Sequence, residues 1–212
     1  MKSILVHPSY FPSIVQMAAI VQAPKVIFEV EDNYQKQSYR NRCVIAHSNG
    51  KLPLTIPIKH SKPNLNLGRT KQKTKEVLIE NNFPWQIQHW KSLESAYRTS
   101  PYFEFYEDDI KPIFFNSETS LMNFNMKTFD LICDLLDFEI DYSFSATYEK
   151  TPETIDLRLL IDTKSKKVFE LTNYTQVLEA NHGFLTNLSI LDLLFNEGTN
   201  ALSYLESQEL KF

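Results

Sequence analysis

The stretch from Ile4 to Val30 constrains the fold of this chain more than any other. Ile4-Leu5-Val6 is a short apolar run of the kind buried in a parallel sheet. His7-Pro8-Ser9-Tyr10-Phe11 then turns, Pro12 opens a helix running through Gln22, and Pro24 stops it. Val26-Ile27-Phe28-Glu29-Val30 follows as a second strand, completing a β-loop-α-β unit. In open α/β sheets ligands sit outside the carboxyl ends of the strands, beside helix N-termini. That topology gathers His7, Tyr10 and the Glu31-Asp32 pair at one edge.

The remaining segments fill in an α/β architecture. Cys43 to His47 and Leu52 to Ile58 flank Ser48-Asn49-Gly50-Lys51, where Asn49-Gly50 signals a type I′ hairpin. Pro53 and Pro57 lack amide donors and put their strand at an edge. Val77-Leu78-Ile79 reads as a short strand. Ser120 to Phe138 reads as an amphipathic helix with Leu121, Phe124, Leu131, Ile132, Leu135 and Phe138 as its stripe. Tyr142 to Tyr148 alternates like a strand, Thr154 to Leu160 reads as a helix, and Val168 to Leu171 as a last strand. Ser189 with Asp192 resembles a capping box, and Gly198 caps the helix C-terminus. The expectation is one domain over residues 1–212: a mixed sheet with the N-terminal β-loop-α-β unit, a hairpin and a helical C-terminal part.

Composition excludes several function classes. With 4 glycines, and no GxGxxG or Walker-type motif, a Gly-rich phosphate loop is ruled out. A net charge of −4 argues against a protein built to bind nucleic acid. Cys43 and Cys133 stand far apart without a CxxC partner, so two free thiols in a reducing compartment are expected, with no metal site. His7-Pro8 interrupts the first apolar run before a signal-peptide core is reached, and no apolar run approaches the ~18 residues of a membrane span. A cytoplasmic location is the expectation.

The chemistry concentrates in three blocks. Between Pro84 and Pro101, helical spacing puts Trp85, His89, Leu93 and Ala96 on one face and Trp90, Leu93 and Tyr97 on the adjoining one. His89 therefore sits beside an aromatic seam, where partial burial tunes an imidazole for acid-base work, with Lys91 as a neighbouring cation. The alternative is a core histidine bonded to a backbone carbonyl, with Lys91 solvated. In Tyr34 to Arg42, the cations Lys36, Arg40 and Arg42 with Asn41 suggest an oxyanion clamp, both arginines on one side of an extended segment. Tyr10, Tyr34, Tyr39 and Tyr97 offer ring faces and hydroxyls for a sugar or base. Asn187 and Asn196 in the last block complete the binding candidates, and His7 and Asp32 join His89 and Lys91 as catalytic ones. The basic run from Lys59 to Lys75 is either a solvated loop or a lid over an anionic ligand.

Taken together, the blocks His7 to Pro12, Tyr34 to Arg42, Leu54 to Ile58, His89 to Phe103 and Leu188 to Gly198 resemble the WbqC-like family of bacterial proteins. The chain departs from that pattern with His7-Pro8 where Gln-Pro is common and Ser13 where Trp is frequent. The resemblance implies a context in surface-polysaccharide and O-antigen biosynthesis, and a transferase adding an amino-acid or acyl group to a sugar. No compelling nucleophile accompanies the bases and cations, so direct transfer from an activated donor fits better than a covalent intermediate. The expected partner is then an anionic small-molecule donor, a nucleotide-sugar or an acyl carrier. The other classes left open are a non-catalytic module binding an anionic nucleotide-sugar or a partner enzyme, and a purely structural polar network. The sequence names no cofactor and leaves the oligomeric state open.

Overall fold

The structure is a computed structural model that describes residues 2–59, 72–115, 117–165, 167 and 169–212. Strand β1 (Ile4–Val6) is followed by helix α1 (Ile14–Val21) and strand β2 (Val26–Phe28), the expected β-loop-α-β unit. The Ser13 hydroxyl caps α1 by accepting from the amide of Gln16. Strands β5 (Tyr142–Phe144) and β6 (Ile155–Asp156) complete a four-stranded sheet in the order β5-β2-β1-β6. Every neighbour in it is parallel, with Ile4 opposite Val26 on one side and Ile155 on the other. From β1 the chain steps outward to β2 and β5, then returns to place β6 on the opposite side of β1. The strand order reverses between β1 and β6, which is where open α/β sheets hold ligands.

A separate antiparallel hairpin pairs β3 (Arg42–His47) with β4 (Gly50–Thr55). Its turn differs from the expected type I′. Ser48 and Asn49 form the two-residue loop without positive φ, and Gly50 alone takes φ +105°. A glycine in that conformation just after the loop is the mark of a bulged hairpin, and it satisfies the strand twist equally well. The hairpin is tied to the body where the Ser189 amide donates to the Val44 carbonyl and the Ala46 amide to the Tyr97 hydroxyl.

Helices α2 (Trp85–Tyr97), α3 (Phe103–Ile110), α4 (Leu121–Leu135), α5 (Glu179–His182), α6 (Ile190–Glu197) and α7 (Ala201–Ser207) supply the rest. Both predicted faces of α2 are buried. Helix α4 stops short of Phe138 because Asp137 enters the left-handed region at φ +51°, and the Phe138 amide turns back to the Cys133 carbonyl. Three further expectations are corrected. Val77 to Ile79 makes only isolated bridges, Ile58 to Ile79 and Leu78 to Ser120. The predicted helix at Thr154 to Leu160 is strand β6 followed by a 3-10 turn over Arg158–Ile161. Phe169 to Leu171 is not a strand, and Val168 lies outside the described residues. One core cluster joins sheet, hairpin and helices, with rings stacked at Trp90–Phe103 and edge-on at Phe103–Phe195 and Phe28–Phe129. Among the described residues no helix is long and apolar enough to cross a membrane.

Candidate functional site

All four parallel strands deliver polar side chains to one cleft at their carboxyl ends. His7 follows β1, Asp32 follows β2, Tyr148 follows β5, and Asp156 with Arg158 close β6. The cleft encloses about 490 Å³. Five cations line it (Lys36, Arg40, Lys150, Arg158 and Lys164) against three carboxylates, Asp32, Asp156 and Asp162. In a chain of net charge −4 this is a local surplus of positive charge.

Arg40 is the most deeply set cation, with 1% of its surface exposed. Its Nη2 binds Asp32 Oδ2 and also donates to His7 Nε2 at 3.0 Å, while Nη1 reaches Ser38 Oγ at 3.4 Å. The Arg40 carbonyl accepts from Asn125 Nδ2 at 2.7 Å, which fixes its backbone against α4. Asp32 is held on its other oxygen by the Thr74 hydroxyl at 2.5 Å. The His7 Nδ1 lies 3.2 Å from the Glu29 carbonyl, which can only accept, so Nδ1 carries the proton and Nε2 accepts from Arg40. Burial, then the Arg40 guanidinium, push the His7 pKa well below its ordinary range, so the imidazole is neutral. Burial also raises the Asp32 carboxyl and lowers Arg40, each partly offset by the other's charge.

Arg158 forms the second fixed fork. Its Nε and Nη2 grip the two oxygens of Asp156 at 2.9 and 2.6 Å, Nη1 lies 3.4 Å from buried Glu29, and the guanidinium sits 5.0 Å from the Tyr148 ring centroid. Glu29 accepts further from the Ser145 hydroxyl and the Glu31 amide, both at 2.8 Å. Both guanidiniums are immobilised by these partners before any ligand arrives, and with the three lysines their charge exceeds that of the lining carboxylates, which favours an anion in the cleft. Among the described residues, no group of three or more His, Cys, Asp or Glu side chains is arranged to hold a metal ion.

Of the residues singled out from sequence, His7, Asp32, Lys36 and Arg40 meet in this cleft. The others lie elsewhere. His89 is buried against Trp85 and Tyr10, its Nδ1 3.0 Å from the Tyr10 hydroxyl, and desolvation takes its pKa down to about 4. Lys91 is exposed on the outer face of α2. Arg42 reaches across the hairpin to Thr55 Oγ1 at 3.2 Å, so the two arginines do not form one clamp. Asn41 donates to the Ile56 carbonyl, and half-buried Tyr39 pairs its backbone with Tyr10 and Ile161. Tyr97 donates to Asp192, and Asn196 bridges the Val177 amide to the Asp192 carbonyl. Asn187, at φ +52°, accepts from the Val15 amide and so satisfies an open donor at the start of α1. Asp192 is no capping-box residue: it is buried and accepts from Tyr97, Tyr174, Gln176 and Asn196. The basic run expected as a lid lies mostly outside the described residues. Within them, Lys73 and Lys75 both bind the Glu31 carboxylate.

The two buried histidines set a pH response. An unfolded histidine titrates near 6.5, above the folded value of about 4 for His89. Between those limits the unfolded state takes up a proton that the folded state refuses. Stability is therefore full above about pH 6.5 and falls as pH drops toward 4, by up to ~1.4 kcal/mol per pH unit for each such histidine. Urea melts across that range should show this slope, and His89→Gln should flatten it by up to one proton. An unchanged slope in the variant would mean His89 is protonated in the folded protein.

Comparison with known proteins gives a consistent picture. The model of the WbqC-like protein family matches residues 7–169, more than half of the chain. The chain is also 28% identical over 231 residues to the uncharacterized protein Rv1507c of Mycobacterium tuberculosis, covering 96% of this chain and 97% of that one. No solved structure matches.

Proposed function

The chain belongs to the WbqC-like protein family, and from that membership and the cation-rich cleft we propose that it binds an anionic activated donor, a nucleotide-sugar or an acyl carrier. On this reading the protein is a cytoplasmic transferase of surface-polysaccharide (O-antigen-type) biosynthesis, moving an acyl, aminoacyl or related group onto a sugar. The single observation that supports it best is the pair of immobilised guanidiniums, Arg40 and Arg158, where the strand order reverses. Lys36, Lys150 and Lys164 add positive charge around the same cleft. On the transferase version, Asp32 and His7, which line the cleft beside Arg40, would have to exchange one of their present partners to orient a reacting hydroxyl or amine. His89 has no part in this assignment, because it lies in the aromatic core.

A non-catalytic module holding the same kind of anion is the second reading. It is favoured by the His7 Nε2 lone pair, which already accepts from Arg40 and is not free to take a proton.

Titration calorimetry with UDP, UDP-N-acetylglucosamine and acetyl-CoA tests the common part. At least one should bind the wild type, with affinity falling as salt rises. Lys150→Glu and Lys164→Glu, both on exposed side chains, should each weaken that ligand by roughly five- to tenfold, the effect of about 1 kcal/mol. Absence of binding to all three, or indifference to both charge reversals, would overturn the reading. Mass spectrometry of the bound donor incubated with amino sugars then separates the two versions, since product formation requires the transferase.

A further inference from the structure

Beside the cation-rich cleft lies a second compartment of similar size, about 480 Å³. Asp32, Gln35 and Tyr148 line both, so the two are neighbours across a shared wall. Their electrostatics differ. In the second compartment Lys73 is the lining cation, and it is engaged by Glu31 at 2.5 Å. Glu31 also holds Lys75, and Asp32 is balanced by Arg40. The charges are thus paired within the protein, which leaves no surplus to attract an anion. Its other polar groups are the amides of Asn33 and Gln35 and the hydroxyl of Thr147, all exposed. Amides and hydroxyls both donate and accept, which matches a ligand bearing hydroxyls.

Tyr148 supplies an apolar face to the same space, with 53% of its surface exposed. Arg158 lies 5.0 Å from the ring centroid and lines the first compartment but not the second, so the ring stands at the boundary between the two. An aromatic face beside hydroxyl-matching groups fits a ring that is apolar on its faces and polar at its rim.

We propose that the second compartment binds an uncharged, hydroxyl-rich ring, of which a pyranose is the simplest, with Tyr148 as its platform. This deepens the function proposed above and rests on that reading only for the identity of what occupies the neighbouring cleft. If an anionic donor lies against Arg40 and Arg158, the ring lies across Tyr148 and Asp32 from it, where an acceptor belongs.

Saturation-transfer NMR with glucose, galactose, mannose and N-acetylglucosamine tests the site, and inorganic pyrophosphate serves as the probe of the first compartment. At least one sugar should receive saturation, strongest on C–H protons of one ring face. Ala146→Trp, which fills the second compartment from an exposed position, should cut that signal at least fivefold and leave pyrophosphate binding unchanged. Tyr148→Ala should likewise lose the sugar, and Lys164→Glu should weaken pyrophosphate while keeping it. No saturation of any sugar, or sugar signals unaltered in Ala146→Trp, would overturn the proposal. A protein that binds sugar but not pyrophosphate would sink the anion reading of the first cleft and leave this one standing.

Discussion

Gly198→Ala is expected to destabilise the folded protein by about 3 kcal/mol or more, from two independent causes that meet at one atom. Gly198 follows α6 with φ +56° and ψ −124°, a region that side-chain-bearing residues avoid, and strain there costs of order 1–3 kcal/mol. A Cβ built on it would lie 2.5 Å from two ring carbons of Tyr102. Rotation about the Cβ–Cγ bond of Tyr102 cannot relieve the contact, because Cγ itself lies 2.7 Å away, and the backbone beneath is held where the Tyr102 amide donates to the Phe195 carbonyl at 3.1 Å. Forcing volume into such packing adds roughly 1–3 kcal/mol. For a chain of this size each kcal/mol lowers Tm by about 2–4 °C, so a fall of roughly 6–12 °C should appear in a thermal melt. A change below about 1 kcal/mol would show that the α6 end relaxes, and that the glycine there serves only as a convenient stop.

Why some of this was legible beforehand, and some not, follows from the length over which each signal accumulates. The β-loop-α-β unit declares itself because apolar runs, prolines and a helical stripe agree across Ile4 to Phe28. Helix α2 does so because its two apolar faces repeat over thirteen residues. Strand β6 has two residues, too few for any period, so Asp156 and Arg158 read as part of a helix and half of the cleft stayed hidden. Tyr148 falls in a segment that alternates like a strand, whereas β5 ends at Phe144 and frees it to line the cleft. One local clue was available. Glu29, a carboxylate inside an otherwise apolar strand run, is 1% exposed and needs partners, which are Arg158 and Ser145. His89 shows the opposite error of scale. Helical spacing identifies its aromatic neighbours on α2, but spacing on one helix cannot tell whether that seam faces a pocket or the buried Tyr10.

The cleft's dependence on one buried cation leads to the second large effect. Arg40→Met keeps most of the side-chain volume but removes the charge that balances Asp32. Breaking a buried pair on one side costs roughly 3–5 kcal/mol, since the remaining charge stays desolvated. Asp32 would retain the Thr74 hydroxyl and a histidine whose Nε2 lies 3.6 Å from its Oδ2. The size of the loss should depend on pH, and its sign can be worked out. Burial already raises the Asp32 carboxyl in the native protein, with Arg40 as the largest opposing influence. Without Arg40 the folded value rises further above the unfolded one, so the folded variant takes up a proton that its unfolded chain does not. Stability tied to such a group is present below the unfolded pKa and lost as pH climbs through the folded one. His7 acts in the same direction, because the Arg40 charge is one of the causes holding it neutral. Freed of that charge, His7 protonates more readily beside Asp32. Measured against the wild type by urea unfolding, the deficit of Arg40→Met should therefore be largest near pH 7.5 and shrink as pH falls toward 5. Adding Asp32→Asn to Arg40→Met should recover part of the loss at pH 7.5 and little at pH 5. A deficit that stays constant across this range, with no recovery from the second substitution, would mean that Arg40 holds the cleft through packing alone. An anion drawn there would then be answering to Arg158 and the exposed lysines.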